Sequence, residues 1–298
     1  MHRIPSSTQG WLWLTVPISI LLAIAAGAGV FVDGLYRDAP VLVAQARAQD
    51  LITLAVALPS LVIGAWLTAR GSARARLVWL GVLIYMVYTY VGYAFSVRFN
   101  PLFLVYVALL GCSTYALIGG CVTTDWADLQ ARFTARTPVK AVSVLFAVIA
   151  ALFYALWSSD ALPASLAGEP SQALIDADTP TNFVHVLDMA WLLPALAITA
   201  VNLWRKKPIG YGLAGALLAY VVLLSLAVLA MVVAMARAGH PVVLPQAAMF
   251  ISLCAVSIGM LFMYLRQLGA TPAVPSGPSP AATAPDIAPE IAPQPRRA

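Results

Sequence analysis

Long apolar runs separated by short polar stretches dominate the pattern of this 298-residue chain. A helix of about 20 apolar residues is long enough to cross the hydrocarbon layer of a bilayer. Eight runs reach that length, at residues 11–33, 50–69, 77–95, 101–122, 140–159, 184–204, 209–236 and 244–266. They are unbroken rather than alternating, so they predict membrane-spanning helices and not the strands of a barrel.

Composition agrees with this pattern, because 61% of the residues are hydrophobic and only 10% are charged. Soluble domains carry roughly 25% charged residues. The predicted fold is therefore an all-α integral membrane protein with eight transmembrane helices in residues 1–269. The first run follows a basic head and contains small residues near Ala26, which is also typical of a cleaved signal peptide. Because this run is long enough to span, we expect it to be the first helix.

The sequence after about residue 270 has a different composition. It is rich in Pro and Ala and almost free of large apolar side chains, so it cannot form a core. We expect residues 270–298 to be a disordered cytoplasmic tail, with docking to a protein partner as the alternative. The loop from Thr123 to Val139 carries Trp126, Leu129 and Phe133 at helical spacing, which predicts a short amphipathic helix on the same side.

The positions of the charges predict how the chain is oriented. If the eight runs cross alternately, one side holds both termini and 13 of the 17 basic residues. Short cytoplasmic loops of membrane proteins retain Lys and Arg, so both termini are expected in the cytoplasm and the protein in the plasma (inner) membrane. The basic excess is then explained by topology and contact with lipid headgroups, and no basic patch interleaved with aromatic residues indicates a nucleic-acid partner.

An internal similarity suggests a duplication. The segments LPSLVIGAWLTAR (58–70) and LPALAITAVNLWR (193–205) match without gaps at six positions, and the same offset continues to pair Tyr85 with Tyr220. There are nine identities over 30 aligned positions. The offset pairs spans that run in the same direction, which predicts two parallel four-helix repeats, residues 11–122 and 140–266. Parallel repeats occur in transporters, whose sites tend to form between the halves.

Two prolines occupy equivalent positions in these segments. Pro59 and Pro194 each lie inside a predicted span, where a proline removes an intrahelical hydrogen bond and bends the helix. Bent helices can open a cavity between them. Prolines are also common in membrane helices for packing reasons alone, so both interpretations stay open.

The segment NFVHVLDMAWLLPAL (182–196) carries the acid that lies deepest in a predicted span. Asp188 is about 9 Å from the start of its helix, and His185 lies one turn earlier on the same face. Carboxylates inside membranes face a protein interior or a water-filled cavity, and they are functional candidates. Pairing of Asp188 with Arg98 near the helix end is the structural alternative. Asp50, which aligns with His185, is expected to begin and cap the second span.

Tyrosines crowd toward the same side of the membrane in span three and the following turn. Those near the interface are explained as anchors, whereas Tyr85 and Tyr88 lie deeper and need hydrogen-bond partners. We therefore predict a pocket lined by Asp188, His185, Tyr85, Tyr88 and Asn100 that opens outward and takes a small molecule or an ion.

Known catalytic and cofactor signatures are absent from the sequence. There is no phosphate-binding glycine loop, HExxH, GxSxG or CxxC, and the three histidines are too scattered for a haem or a zinc triad. Three cysteines within predicted spans, Cys112, Cys121 and Cys254, are expected to be small core residues. No cofactor or metal is therefore predicted.

Three functions remain open from the sequence. The first is a small-solute or proton/cation-coupled carrier, which uses the duplication. The second is a non-catalytic sensor or assembly subunit. The third is a membrane enzyme acting on a lipid or quinone, with His185 and Asp188 as an acid/base pair.

Overall fold

The computed structural model describes residues 6–240 and 244–269. The predicted tail, residues 270–298, lies outside the described residues. The described part is built from thirteen α-helices and two five-residue π turns, Thr53–Ala57 and Asp188–Leu192. The helices are α1 (Ser6–Trp13), α2 (Thr15–Phe31), α3 (Pro40–Ile52), α4 (Leu58–Ala69), α5 (Ala73–Phe95), α6 (Phe103–Val122), α7 (Trp126–Ala131), α8 (Val139–Ala167), α9 (Gln172–Ala177), α10 (Phe183–Leu187), α11 (Leu193–Trp204), α12 (Pro208–Arg237) and α13 (Leu244–Arg266).

Within the described ranges, eight helical stretches are long and apolar enough to cross a membrane, which confirms the predicted number of spans. They are Gly10–Phe31, Pro40–Ala69, Ala73–Phe95, Phe103–Val122, Val139–Ala167, Phe183–Trp204, Pro208–Arg237 and Ala247–Arg266. The second stretch joins α3 to α4, and the sixth joins α10 to α11, each through a π turn. The first stretch packs into the core, where Ile18 and Leu22 are fully buried.

The second span begins ten residues earlier than its apolar run suggests. Pro40 starts the helix, so Asp50 lies inside the span and is only 1% exposed. The interpretation of Asp50 as a helix-capping residue is therefore wrong. The polar sequence QARAQD interrupts the apolar run, so hydropathy does not reveal the first part of this helix. Polar residues that face the protein interior do not prevent a helix from crossing a membrane.

Two central helices, α5 and α12, hold the bundle together. They cross closely at Gly81, where an added Cβ would overlap the Ala216 carbonyl oxygen and the Ala219 side chain. Small residues allow this approach, as is common between membrane helices. In one group, α4 and α6 pack against α5, and α2 packs against α3, α4 and α6. In the other group, α11 and α13 pack against α12, and α8 packs against α11. We call these two groups the first and second halves.

The end of the bundle near residues 70, 130, 206 and 268 carries most of the described lysines and arginines, and we call it the basic end. Here the loop forms the short helix α7, as its helical spacing predicts, although the helix ends at Ala131 and Phe133 lies beyond it. Trp126 packs over Gly212, and Leu129 is buried in a small cluster with Leu77 and Leu268. The apolar face of α7 is thus directed to the protein, and it closes this end of the bundle.

The opposite end of the bundle, which we call the acidic end, carries Asp33, Asp38 and the segment between α8 and α10. An exposed ion pair joins Arg98 to Asp178, and the Arg98 backbone N–H donates to Asp38 Oδ1 at 3.0 Å. Arg98 therefore pairs with Asp178 rather than with Asp188. These contacts bring α9 and its flanking turns over the ends of α3 and α5.

Candidate functional site

A buried carboxylate with two donors forms the centre of the site. Asp188 is 4% exposed, and it begins the π turn between α10 and α11. Tyr88 of α5 donates its hydroxyl to Asp188 Oδ1 at 2.9 Å, and the indole N–H of Trp157 on α8 donates to Oδ2 at 2.8 Å. Each carboxylate oxygen accepts about two hydrogen bonds, so each retains room for one more donor.

The π turn that carries Asp188 is supported by a third aromatic residue. Tyr154, one turn before Trp157 on α8, donates its hydroxyl to the Met189 carbonyl at 2.7 Å. A π turn displaces backbone carbonyls from their helical partners, and such turns are frequent at functional sites. Tyr154 and Trp157 therefore hold the turn and the carboxylate to the same face of α8.

Neighbouring halves of the protein enclose a cavity beside Asp188. Its volume is about 380 Å³, within the usual range for small-molecule sites. It lies between α3 and α5 on one side and α8, α11, α12 and α13 on the other, and α9 covers it at the acidic end. Most of its wall is aliphatic or aromatic, and the polar side chains that line it include those of Asp188, Tyr88, Gln49 and Thr89.

Tyr220 of α12 also lines this cavity, and its hydroxyl is left without a partner. The side chain is fully buried, and no hydrogen-bonding atom of the described residues reaches its hydroxyl. Its ring packs on that of Tyr88, with centroids 5.8 Å apart. A buried phenol without a partner is costly, so a ligand that reached this hydroxyl would gain a hydrogen bond.

His185, which the sequence places next to Asp188, takes part in a separate arrangement. Its ring stacks on Trp157 with centroids 4.5 Å apart, and its Nδ1 lies 3.9 Å from Asp160 Oδ2. It lines a neighbouring cleft with Asp160 and Asn182 rather than the cavity. Trp157 contacts both side chains, since its ring stacks on His185 and its N–H donates to Asp188, and no hydrogen bond joins His185 to Asp188.

Tyr85 and Asn100 also lie away from the cavity, contrary to the pocket predicted from the sequence. The Tyr85 hydroxyl is 3.1 Å from Thr53 Oγ1 in the first half. Asn100 accepts a hydrogen bond from the Leu102 backbone at 2.9 Å and caps the turn before α6. Tyr85 and Tyr88 are three residues apart on α5, and they face different helices, so only Tyr88 reaches Asp188.

Asp50 forms a second buried carboxylate, which the sequence interpretation missed. It accepts hydrogen bonds from Tyr36 at 2.5 Å and Tyr93 at 3.0 Å. Burial raises the pKa of the Tyr36 phenol, which lies in the turn between α2 and α3, and the charge of Asp50 raises it further, so Tyr36 remains a donor. Tyr93 also lines the cavity and connects it to Asp50.

Trp157 and Tyr220 are further residues that were not assigned to the site from sequence. Tyr220 had a signal, because the internal similarity pairs it with Tyr85. Trp157 had none, because nothing within the apolar run of span five relates it to span six. No group of three or more His, Cys, Asp or Glu residues within 6–240 and 244–269 is arranged to hold a metal ion.

The two π turns occupy matching places in the chain. Thr53 and Asp188 begin them 135 positions apart, and each turn is followed after the same interval by Leu and then Pro59 or Pro194. A proline lacks the backbone N–H that would bond to the preceding turn. The departure from regular helix that we expected at each proline is therefore found in the π turn that precedes it.

Comparisons with protein-family models, curated proteins and solved structures found no match to this chain. The class defined by the fold is a multi-pass α-helical membrane protein, and its function is argued from the site.

Proposed function

We propose that the protein is a carrier that moves a small solute across the plasma membrane through the cavity between its two halves. The observation that carries this proposal is the position of Asp188, a buried carboxylate on the wall of a cavity where the halves meet. Carboxylates within membranes are costly, and they are common along transport pathways and proton relays.

The organisation of the bundle supports a rocking mechanism. The cavity extends toward the acidic end, whereas the close crossing of α5 and α12 at Gly81 and the packing of α7 close the basic end. In a carrier, one half moves against the other so that a fixed site faces each side in turn. The matching π turns and the similarity over 30 positions, at an offset of 135 residues, support a duplicated origin for the halves.

The geometry gives less support to the alternative of an enzyme that uses His185 and Asp188 as an acid/base pair than to a carrier. Such an enzyme requires His185 and Asp188 to act on one substrate, but His185 lies beside Asp160 in a different cleft. The sensor alternative uses the same cavity as the carrier and differs in one respect, because a sensor does not need to expose the cavity to both sides.

The carrier proposal can be tested without knowing the solute, by measuring from which side of the membrane a reagent reaches the cavity wall. Leu224 of α12 lines the cavity, and Leu224→Cys is placed in a background with Cys112, Cys121 and Cys254 replaced by Ala. A membrane-impermeant maleimide is then applied to sealed vesicles of either orientation. We expect labelling from both sides, because a carrier exposes its cavity alternately.

Two control positions show how one-sided labelling and the absence of labelling appear in this experiment. Asp176→Cys, on the exposed surface of α9, is expected to react only from the acidic end. Leu83→Cys, fully buried on α5, is expected to react from neither side. Labelling of Leu224→Cys from the acidic end alone would contradict a carrier and favour the sensor.

A further inference from the structure

The composition of the cavity wall indicates the charge of its ligand. Two carboxylates, Asp188 and Asp38, line the cavity, and no Lys, Arg or His is among the described residues of its wall. Asp188 also has no ion-pair partner within 4.0 Å in the described part of the chain. A buried carboxylate without a cation is expensive, so a cationic ligand would supply the missing charge.

Aromatic side chains surround the same carboxylate. Tyr88, Trp157 and Tyr220 line the cavity next to Asp188, and Phe153 and Phe250 continue the wall away from it. Aromatic faces attract cations, most strongly where water is excluded. The remaining wall is largely aliphatic, so a ligand with a charged group at Asp188 would place an apolar body along it.

The internal similarity gives the unpartnered Tyr220 hydroxyl a specific role. Thr53 and Tyr85 of the first half align with Asp188 and Tyr220 of the second half, and Thr53 and Tyr85 are hydrogen-bonded to each other. In the second half the corresponding bond is not formed, because Asp188 is held by Tyr88 and Trp157 instead. A donor placed between Asp188 and Tyr220 would satisfy both groups, since a phenol oxygen accepts as well as donates.

The geometry points to an amphipathic monoamine as the ligand of this cavity, with its ammonium N–H groups bonded to Asp188 and to the Tyr220 hydroxyl oxygen. This inference rests on the proposed function in one respect, because the amine is a transported solute only if the protein is a carrier. Tyr220 is then a ligand-binding residue that distinguishes protonated amines from quaternary ammonium compounds, which have no N–H.

Calorimetric titration of the full-length protein in nanodiscs tests the inference with four probes that share a phenyl body. They are phenethylammonium, its N,N,N-trimethyl analogue, propylbenzene and phenylpropanoate. We expect phenethylammonium to bind with saturation, and the neutral and anionic probes to bind at least about tenfold more weakly, because they leave the carboxylate unpaired. Equal binding of the ammonium and neutral probes would overturn the inference.

Two substitutions separate the roles of the site residues. Asp188→Asn is expected to weaken both ammonium probes by about tenfold or more. Tyr220→Phe is expected to weaken phenethylammonium by about five- to tenfold and to leave the trimethyl analogue unchanged, because only the former donates to the phenol. If Tyr220→Phe weakens both probes equally, or neither, the assignment of Tyr220 is wrong.

The same variants distinguish a binding role from a structural one. Tyr220→Phe removes a hydroxyl that has no partner, so its Tm without ligand should be unchanged or higher. Tyr115→Phe, at an exposed tyrosine of α6, is the matched control and should bind both ammonium probes as the unmodified protein does. Should Asp188→Asn fail to fold, the two-probe comparison in Tyr220→Phe still decides the question.

The calorimetric titration tests the ligand and the labelling experiment tests the carrier, so either proposal can be rejected while the other is retained. Ammonium-selective binding together with one-sided labelling of Leu224→Cys would retain the inference and remove the carrier. Two-sided labelling without ammonium selectivity would retain the carrier and remove the inference.

Discussion

The absence of one methyl group at Gly29 makes room for the buried carboxylate of Asp50. A Cβ at this position of α2 would overlap Asp50 Oδ2 and the Tyr36 hydroxyl. The same helix contains Gly27, where an added Cβ would meet no atom within 4 Å. The two glycines, two residues apart, therefore offer a matched comparison.

We predict that Gly29→Ala lowers the free energy of unfolding by about 1–3 kcal/mol, because it displaces a hydrogen-bonded buried carboxylate in a close-packed site. Gly27→Ala should be neutral or stabilising, since Ala favours helix over Gly by up to about 1 kcal/mol. Thermal unfolding in detergent, followed by far-UV circular dichroism, measures both. Similar Tm values for the two variants would show that the Asp50 site tolerates displacement.

The sequence predicts part of the candidate site and misses the part that depends on distant helices. Asp188 is recognisable because a carboxylate in an apolar run is rare, and Tyr88 because a deep phenol needs an acceptor. The partners of Asp50 and the indole of Trp157 come from other helices, and periodicity does not indicate which faces meet. Tyr85 shows the same limit, because its polar partner is Thr53, a residue without charge.

At the scale of the helices, hydropathy predicts all eight spans because the thickness of the bilayer sets their length. It places the start of the second span wrongly, because Gln45 and Gln49 of α3 face the cavity and interrupt the apolar run. Polar residues directed into a protein interior lower the apparent hydropathy of a helix without preventing it from spanning. The π turns are not predictable in this way, although the prolines mark their positions.

A π turn is equivalent to one residue inserted into an α-helix, so its removal can be tested by deletion. We predict that deletion of Ala190, within the π turn Asp188–Leu192, leaves the helices on either side in register and preserves the fold. The Met189 carbonyl would lose its displaced position, and phenethylammonium affinity should fall by at least about tenfold as Asp188 moves from Tyr88 and Trp157. Circular dichroism and the calorimetric titration measure the two effects.

Deletion of Ile198, in the regular helix α11, is the control for this experiment. It rotates the two sides of the helix by about 100° relative to each other, because there is no extra residue to absorb the change. We expect this variant to lose its cooperative thermal transition. If both deletions are equally disruptive, the π turn is required for folding and has no separate role in the site.

At the scale of the whole molecule, the two ends differ in charge, and this difference predicts orientation. The basic end includes Arg132, Arg136 and the run Arg205, Lys206 and Lys207, whereas the acidic end includes Asp160, Glu169, Asp176 and Asp178. Positively charged loops remain in the cytoplasm. The cavity beside Asp188 would then open to the outside.

Reporter fusions test this orientation. We predict that alkaline phosphatase inserted after Gly34 or Gly168, at the acidic end, is active, because this enzyme folds only outside the cytoplasm. Insertion after Thr134, at the basic end, should be inactive, and a green fluorescent protein at the same position should show the reverse. Activity at Thr134 would invert the topology and turn the cavity toward the cytoplasm.

The position of Trp157 gives the protein an intrinsic optical probe. Its indole N–H donates to Asp188, and its ring is stacked on His185. Indole emission is sensitive to nearby charge, so a cation arriving at Asp188 would change the spectrum of this residue. The difference between the intact protein and Trp157→Phe would isolate its signal from the other seven tryptophans and allow site occupancy to be followed in real time.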